Sequence, residues 1–199
     1  MRIVSIEPLD RKKSRVLTDE GPAFVLCSGE LKTYGIEAGG ELTEEKYELL
    51  MREVFFRRAR ERMFRLLKAS DKTEAELRRK LAEGGCPAEA VEAAIAFGKE
   101  KRYIDDRRYA QNYVEYHGST KSRRQLAAEL AARGISRELA QECLDETELD
   151  ERAQIERLLK KRGYDRDQAD QKEQQKTMAF LSRRGFSYEA ILDIMHKKY

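Results

Sequence analysis

Apolar residues follow two different patterns along the chain. Over the first 40 or so residues they fall in short runs: Ile3, Val4 and Ile6, then Val16 and Leu17, then Ala23-Phe24-Val25-Leu26-Cys27, with the turn signal Asp19-Glu20-Gly21-Pro22 before the last. These runs predict a hairpin or small meander of two or three strands. That much sheet is marginal alone and should pack on something else. Gly39-Gly40 closes the region, and Thr43-Glu44-Glu45 opens a helix, with Thr43 as N-cap and two acids in the positive first turn. The spacing then becomes helical. Tyr47, Leu50, Met51, Val54, Phe55, Ala59, Met63, Leu66 and Leu67 predict one long helix from about residue 43 to residue 69.

A repeat of about 50 residues follows. Leu77-x-x-x-Leu81-x-x-x-Gly85-Cys86-Pro87 recurs as Leu126-x-x-x-Leu130-x-x-x-Gly134-Ile135-Ser136, and again as Thr177-x-x-x-Leu181-x-x-x-Gly185-Phe186-Ser187. Downstream, Val91 and Ile95 match Ala140 and Leu144, then Ile191 and Met195. Upstream, Met63, Leu66 and Leu67 match Ala110, Tyr113 and Val114, then Ile155, Leu158 and Leu159. Each unit therefore reads as three helices. The second ends at a glycine suited to a left-handed stop, and the third starts directly after it. Three short helices bury little by themselves, so stacked units must share a core. The expected fold is mainly α: tandem three-helix repeats in an elongated curved array, with the small β piece at its N-terminal end. The expected divisions are 1–42 for the β extension, 43–118 for the long helix with the first repeat, 106–149 for the second repeat and 150–199 for the third.

Composition narrows the function. Charged residues make up 39% of the chain, well above the roughly 25% of ordinary soluble proteins, and mean hydropathy is −0.78. No apolar run approaches the roughly 18 residues of a membrane span, and Met1-Arg2-Ile3-Val4-Ser5-Ile6-Glu7 contains no signal-peptide apolar block. Cys27, Cys86 and Cys143 are scattered and odd in number, which suits reduced thiols in a cytoplasm. The net charge of +3 does not by itself mark a nucleic-acid binder, so local clustering must decide.

Three basic clusters stand out. Arg52, Arg57, Arg58, Arg60, Arg62, Arg65 and Lys68 crowd the long helix against Glu53 and Glu61, spread around it rather than in one stripe. Lys99, Lys101, Arg102, Arg107 and Arg108 precede Lys121, Arg123 and Arg124, interleaved with Tyr103, Tyr109, Tyr113 and Tyr116. Arg183-Arg184 and Lys197-Lys198 lie near the end. Each cluster reads either as a solvated face or as a contact for partner or DNA; aromatics among cations suit single strands. Tyr109, Tyr113 and Tyr116 share one helical face, which predicts burial between helices rather than stacking on bases. The acid pair Asp105-Asp106 reads as the start of a helix near Arg107, one Asp capping and the other favouring the positive end. Thr73-x-x-Glu76 has capping-box spacing. His117 and His196 are lone, no phosphate loop occurs, and no metal spacing is present. The expectation is a non-enzyme without cofactor or metal.

The repeat also carries a resemblance. Thr73-x-x-Glu76-Leu77-x-x-x-Leu81 resembles the Ser-x-x-Glu-Leu signature of the RecX family. Tyr103-Ile104-Asp105-Asp106-x-x-Tyr109-Ala110 resembles its Gly-Tyr-Leu-Asp-Asp-x-x-Phe-Ala segment. Lys121-x-Arg123-Arg124-Gln125-Leu126-x-x-Glu129-Leu130-x-x-x-Gly134-Ile135 resembles the stretch that follows. The likeness spans residues 59 to 199, and residues 1 to 42 resemble the β-like extension of longer members. Arg102 stands where that pattern has Gly, so its backbone either avoids the left-handed region or is strained there.

The resemblance implies a modulator, usually an inhibitor, of the RecA recombinase in DNA recombination, repair and the SOS response. Such proteins lie in the groove of the RecA–ssDNA filament and block its growth, ATP hydrolysis and strand exchange. Contacts to partner or DNA are then expected at Arg57, Arg58, Arg102, Arg107, Arg108, Lys121, Arg123, Arg124, Arg183 and Arg184. Thr73, Glu76, Leu77, Tyr103, Asp105, Asp106, Tyr109, Ala110, Gly134 and Gly185 form the structural signature. The competing readings are a stand-alone helical array binding single- or double-stranded DNA, and a helical scaffold for another protein. A finished repeat array is expected to be monomeric.

Overall fold

The N-terminal runs form a three-stranded antiparallel sheet in the order β1-β2-β3, with β1 Ile3–Pro8, β2 Lys13–Thr18 and β3 Phe24–Cys27. The computed structural model describes residues 1–21 and 23–196; Pro22, the Lys197-Lys198 pair and the side chain of His196 lie outside the described residues. Register places Ile6 opposite Val16 and Val16 opposite Phe24. The first turn is tied by Asp10, whose Oδ1 accepts the Lys12 and Lys13 amides at 2.7 and 2.9 Å. Ile3, Val16, Phe24 and Leu26 are buried on one face, and the Phe24 ring meets Phe55 edge-on at 5.4 Å. The sheet thus packs on the long helix, as its small size requires. A short helix not expected from the sequence, α1 (Ser28–Thr33), follows β3 directly.

The long helix runs as α2 (Glu44–Leu50), a π-helical turn (Met51–Phe55) and α3 (Phe56–Ala69). Thr43 caps it as expected, accepting the Lys46 amide at 3.3 Å. The π turn was not foreseen. Its wider ladder inserts a residue locally, and Met51, Val54 and Phe55 are all buried there.

Three helix triplets share one plan. α4 (Glu74–Glu83) and α5 (Ala88–Glu100) complete the first with α3. The second is α6 (Asp106–His117), α7 (Arg123–Ala132) and α8 (Arg137–Glu146). The third is α9 (Glu151–Arg162), α10 (Gln171–Arg183) and α11 (Tyr188–His196). The middle helices begin on Thr73, Ser122 and Asp170. Thr73–Glu76 and Ser122–Gln125 form reciprocal capping boxes. The middle helices stop at Gly85, Gly134 and Gly185, with φ of 75°, 83° and 88°. The residue after each glycine, Cys86, Ile135 or Phe186, is buried, which locks the left-handed stop by an apolar contact.

The chain divides into two compact units, residues 1–105 and 106–199. In the first, the sheet, the long helix, α4 and α5 surround one core containing Phe24, Phe55, Met63, Leu77, Leu81, Val91 and Ile95. In the second, Val114, Leu126, Leu130 and Leu144 fill one cluster, and Ile155, Leu159, Leu181 and Ile191 another. Hydrogen bonds knit these clusters together: the buried Gln154 donates to the Gly118 carbonyl at 2.5 Å, Arg157 to the Ser119 carbonyl at 2.6 Å, and the Ser122 hydroxyl to the Arg184 carbonyl at 2.5 Å. Thr177 occupies the place held by Leu77 and Leu126. It is fully buried and its hydroxyl has no hydrogen-bond partner among the described residues.

Candidate functional site

The arginines of the long helix divide by direction. Arg58 turns inward, donating to the Val25 carbonyl at 2.7 Å and gripping Glu30 at 2.5 and 2.6 Å, which ties α3 to β3 and α1. Burial alone would raise the Glu30 carboxyl. The Arg58 guanidinium and the Cys27 amide outweigh it and hold the group below the usual glutamate range. Arg57 stays exposed and approaches Glu61 at a long 3.9 Å.

Arg102 resolves the choice left by the sequence: it is left-handed, at φ 56°. It sits one residue past the C-cap of α5. Its amide reaches the Lys99 carbonyl at 3.0 Å and that of Tyr103 reaches Gly98 at 2.8 Å, the two bonds of a Schellman stop. The turn therefore keeps its geometry without glycine, at a cost of about 1–2 kcal/mol.

In the second unit, α6 starts at Asp106, directly after Asp105, as expected. Ala110 is fully buried, while Tyr109 and Tyr113 are half-buried with stacked rings 6.2 Å apart. Tyr116 departs from the expected burial. It is 83% exposed, because it lies on the outer edge of the helix, beyond the stripe that Tyr113 and Val114 bury. Tyr103, in the first unit, is also exposed.

Tyr113 is the hub of a polar cluster. It donates to Glu129, accepts from Lys121 at 3.1 Å, and has the Arg133 guanidinium 4.5 Å from its ring centre. Lys121 also donates to Glu129 at 2.6 Å. Burial opposes both charges, but their mutual bonds and those of Tyr113 prevail, so Lys121 is raised and Glu129 lowered. His117, 4.4 Å from the Tyr113 ring, is pushed down by burial and by the Lys121 charge, which favours the neutral imidazole at neutral pH.

Other cations of this unit are also used internally. Arg107 clamps Glu142 and Glu146 of α8. Arg123 donates to the Leu144 carbonyl at 3.0 Å and pairs with Asp145, closing the negative end of α8. Arg108, Arg124 and Arg183 are exposed. Arg184 is half-buried, its guanidinium 4.8 Å from the Phe180 ring centre.

The fold brings some of these together. Gly185 lies against the Arg124 side chain and Ser122, so Arg124 and the Arg183-Arg184 pair converge where the start of α7 meets the end of α10. Exposed arginines beside a helix start suit phosphate or carboxylate recognition. Ser122 and Arg133 were not singled out from the sequence, and Glu129 entered only as part of a motif. Ser122 was legible, because Ser122-x-x-Gln125 repeats the spacing of Thr73-x-x-Glu76 one unit later. Among the described residues no trio of His, Cys, Asp or Glu is placed to hold a metal, and no helix is long and apolar enough to cross a membrane.

Comparison with known proteins follows the same triplets. Residues 59–97 match the RecX first three-helix domain, 105–144 the second and 150–195 the third. The chain belongs to the RecX family. Regulatory protein RecX of Caldanaerobacter subterraneus subsp. tengcongensis is 33% identical over 141 residues, covering 69% of this chain and 72% of that protein. Regulatory protein RecX of Clostridium perfringens (strain 13) is 27% identical across 98% of this chain and 95% of its own length. The crystal structure of a regulatory protein RecX aligns at TM-score 0.66 with 25% identity, over 98% of this chain and 99% of that one. RecX from Lactobacillus salivarius shares the fold at TM-score 0.60 with 21% identity, over 70% of this chain and 94% of that one. The two alignments that span 98% of this chain, to the Clostridium perfringens protein and to the crystal structure at 25% identity, include the N-terminal sheet, so the β piece is part of the likeness.

Proposed function

We propose that this chain is a non-enzymatic regulator of the RecA recombinase. It binds the groove of the RecA–ssDNA filament and blocks filament growth, ATP hydrolysis and strand exchange. The observation that carries this reading is the match of all three helix triplets, in order, to the three domains of a family whose members are named regulatory proteins. In this reading the exposed Arg57, Arg102, Arg108, Arg124 and Arg183 meet phosphates or acidic partner groups. Arg58, Arg107, Lys121 and Arg123 shape the triplets that present them. The reading entails a cytoplasmic monomer with reduced Cys27, Cys86 and Cys143.

The test is RecA ATP hydrolysis on ssDNA, titrated with this protein at two salt concentrations. Inhibition well below one protein per RecA is the expected result. No effect at excess protein sinks the proposal.

A second reading, a stand-alone DNA-binding array, draws on the convergence of Arg124 with Arg183-Arg184. It expects inhibition only when the ssDNA is covered, lost on adding salt with a log–log slope of roughly −0.7 per phosphate contacted. The substitutions that probe it are Arg124→Ala with Arg183→Ala. Replacing Lys121 or Arg123 would also break the contacts that hold α7 to its neighbours.

A further inference from the structure

The first unit carries an apolar groove that none of the contacts above uses. Arg52, Phe56, Arg60 and Phe64 are spaced four apart and lie along one side of the long helix, a stripe about 18 Å long. Ala93, Ala94 and Phe97 of α5 face it. Arg52, Phe56, Arg60, Ala93, Ala94 and Phe97 line a cleft of about 340 Å³. At one end the Phe64 ring meets Phe97 at 6.2 Å and Tyr103 at 5.2 Å, both edge-on. Phe64 is 41% and Tyr103 48% exposed, so two large rings stand in water beside an apolar cleft.

We propose that this groove docks an acidic, amphipathic segment of a partner protein. An apolar side chain enters over Ala93 and Ala94 between Phe56 and Phe97, and flanking carboxylates pair with Arg52 and Arg60. Charge complementarity selects this occupant. The cleft lining holds two arginines and no carboxylate; Arg52 shares its charge with the neighbouring Glu53 at 2.9 Å, which leaves Arg60 as the main site for an incoming acid. The Arg60 guanidinium rests 5.3 Å from the Phe97 ring centre, and no ion pair holds it among the described residues. Stacking positions such a group while its edge donors stay available to an incoming carboxylate. The two alanines leave room for a knob from outside, the requirement of helix-in-groove recognition.

The groove end is also fixed in advance. The Tyr103 and Ile104 amides both reach the Gly98 carbonyl, at 2.8 and 3.1 Å, through the left-handed Arg102. Gly98 permits that closure, since a Cβ there would stand 2.6 Å from Ile104 Cδ1. A surface ordered before binding loses less entropy on binding. A single nucleic-acid strand fits less well. The floor offers no donor or acceptor for base edges, and the rings meet edge-to-face rather than as a ladder of open faces.

The test uses the full chain and a fluorescein-labelled helical peptide of about 14 residues, with Leu and Phe as i, i+4 anchors and Glu at the flanking positions. A second peptide has Lys for Glu, and an oligo-dT serves as competitor. Saturable binding of the Glu peptide is expected by anisotropy, with the Lys peptide at least about tenfold weaker. Ala93→Glu and Arg60→Glu, both at exposed positions, should weaken the Glu peptide by about tenfold or more while leaving the thermal transition in place. Arg60→Glu should also strengthen the Lys peptide, a gain that misfolding cannot produce. The proposal is overturned if the two peptides bind alike, if neither substitution changes binding, or if oligo-dT takes the groove in an Ala93-sensitive way.

Discussion

In the first triplet Gly85 ends α4, and its carbonyl accepts the Val25 amide of β3 at 3.1 Å. In the third, Gly185 ends α10, and the carbonyl just before it, that of Arg184, accepts the Ser122 hydroxyl from the second triplet at 2.5 Å. The local turn is the same and its neighbour differs. A left-handed stop exposes carbonyls and brings backbone close to whatever lies outside, so each triplet needs a surface to lean on. The third finds it in the triplet before it. The first finds it in the sheet, whose edge strand β3 supplies the end surface for this stop.

The two triplets also fill one core position differently, with Leu77 in the first and Thr177 in the third, both fully buried. Leu77→Ala should cost about 2–5 kcal/mol through the cavity it leaves. Thr177→Val should move stability the other way by about 1 kcal/mol, because it removes a buried hydroxyl that finds no partner among the described residues. Urea unfolding of both variants checks the pair; a loss of stability in Thr177→Val would show that the hydroxyl is satisfied in solution.

The glycine turns differ in the same way. Gly85→Ala combines a φ of 75° with a Cβ driven into the Val25 side chain. It should cost more than about 2 kcal/mol, against about 1 for Gly163→Ala, where φ is 69° but the space is open. Equal losses in a thermal melt would break the claim that the sheet closes on Gly85.

On the other side of the comparison, Ser122→Ala removes both the cap of α7 and the bond to Arg184. A loss of about 1–2 kcal/mol is expected, with faster amide exchange at the end of α10 as well as the start of α7. Exchange confined to α7 would mean that the third triplet does not depend on this contact.

The smallest effect belongs to Arg102. Arg102→Gly relieves the left-handed strain and should stabilise by about 0.5–1 kcal/mol, after the entropy that glycine gives back to the unfolded chain. A destabilised variant would mean that the arginine side chain holds the turn through contacts of its own.

Much of the fold was legible because its signals are local. The three strands, the Thr43 start, the repeating apolar positions and the glycine stops depend on residues within a few positions of one another. The capping boxes do as well. Exceptions occurred where a neighbour overrode the local pattern. The π turn at Met51–Phe55 brings three residues into the core together, and α1 is held by Glu30, which also serves Arg58. The candidate site was legible only as a set of charges. Lys121, Arg123 and Arg124 look alike in sequence, yet two hold helices together and the third is exposed.

The amino-acid order alone carried the three helix triplets, the starts at Thr43 and Thr73, the stop at each repeat glycine and the motifs that resemble the family. These follow from backbone propensity and short-range spacing. Tertiary structure alone decided which cations face outward, that Tyr116 lies in water, that Arg102 takes the left-handed turn and that a groove opens between the long helix and α5. The deciding partners are remote in the chain: Arg58 and Glu30 are 28 residues apart, Arg123 and Asp145 are 22, and Ser122 and Arg184 are 62. A charged side chain points toward whatever pairs with it, and that partner is in place only once the helices have packed.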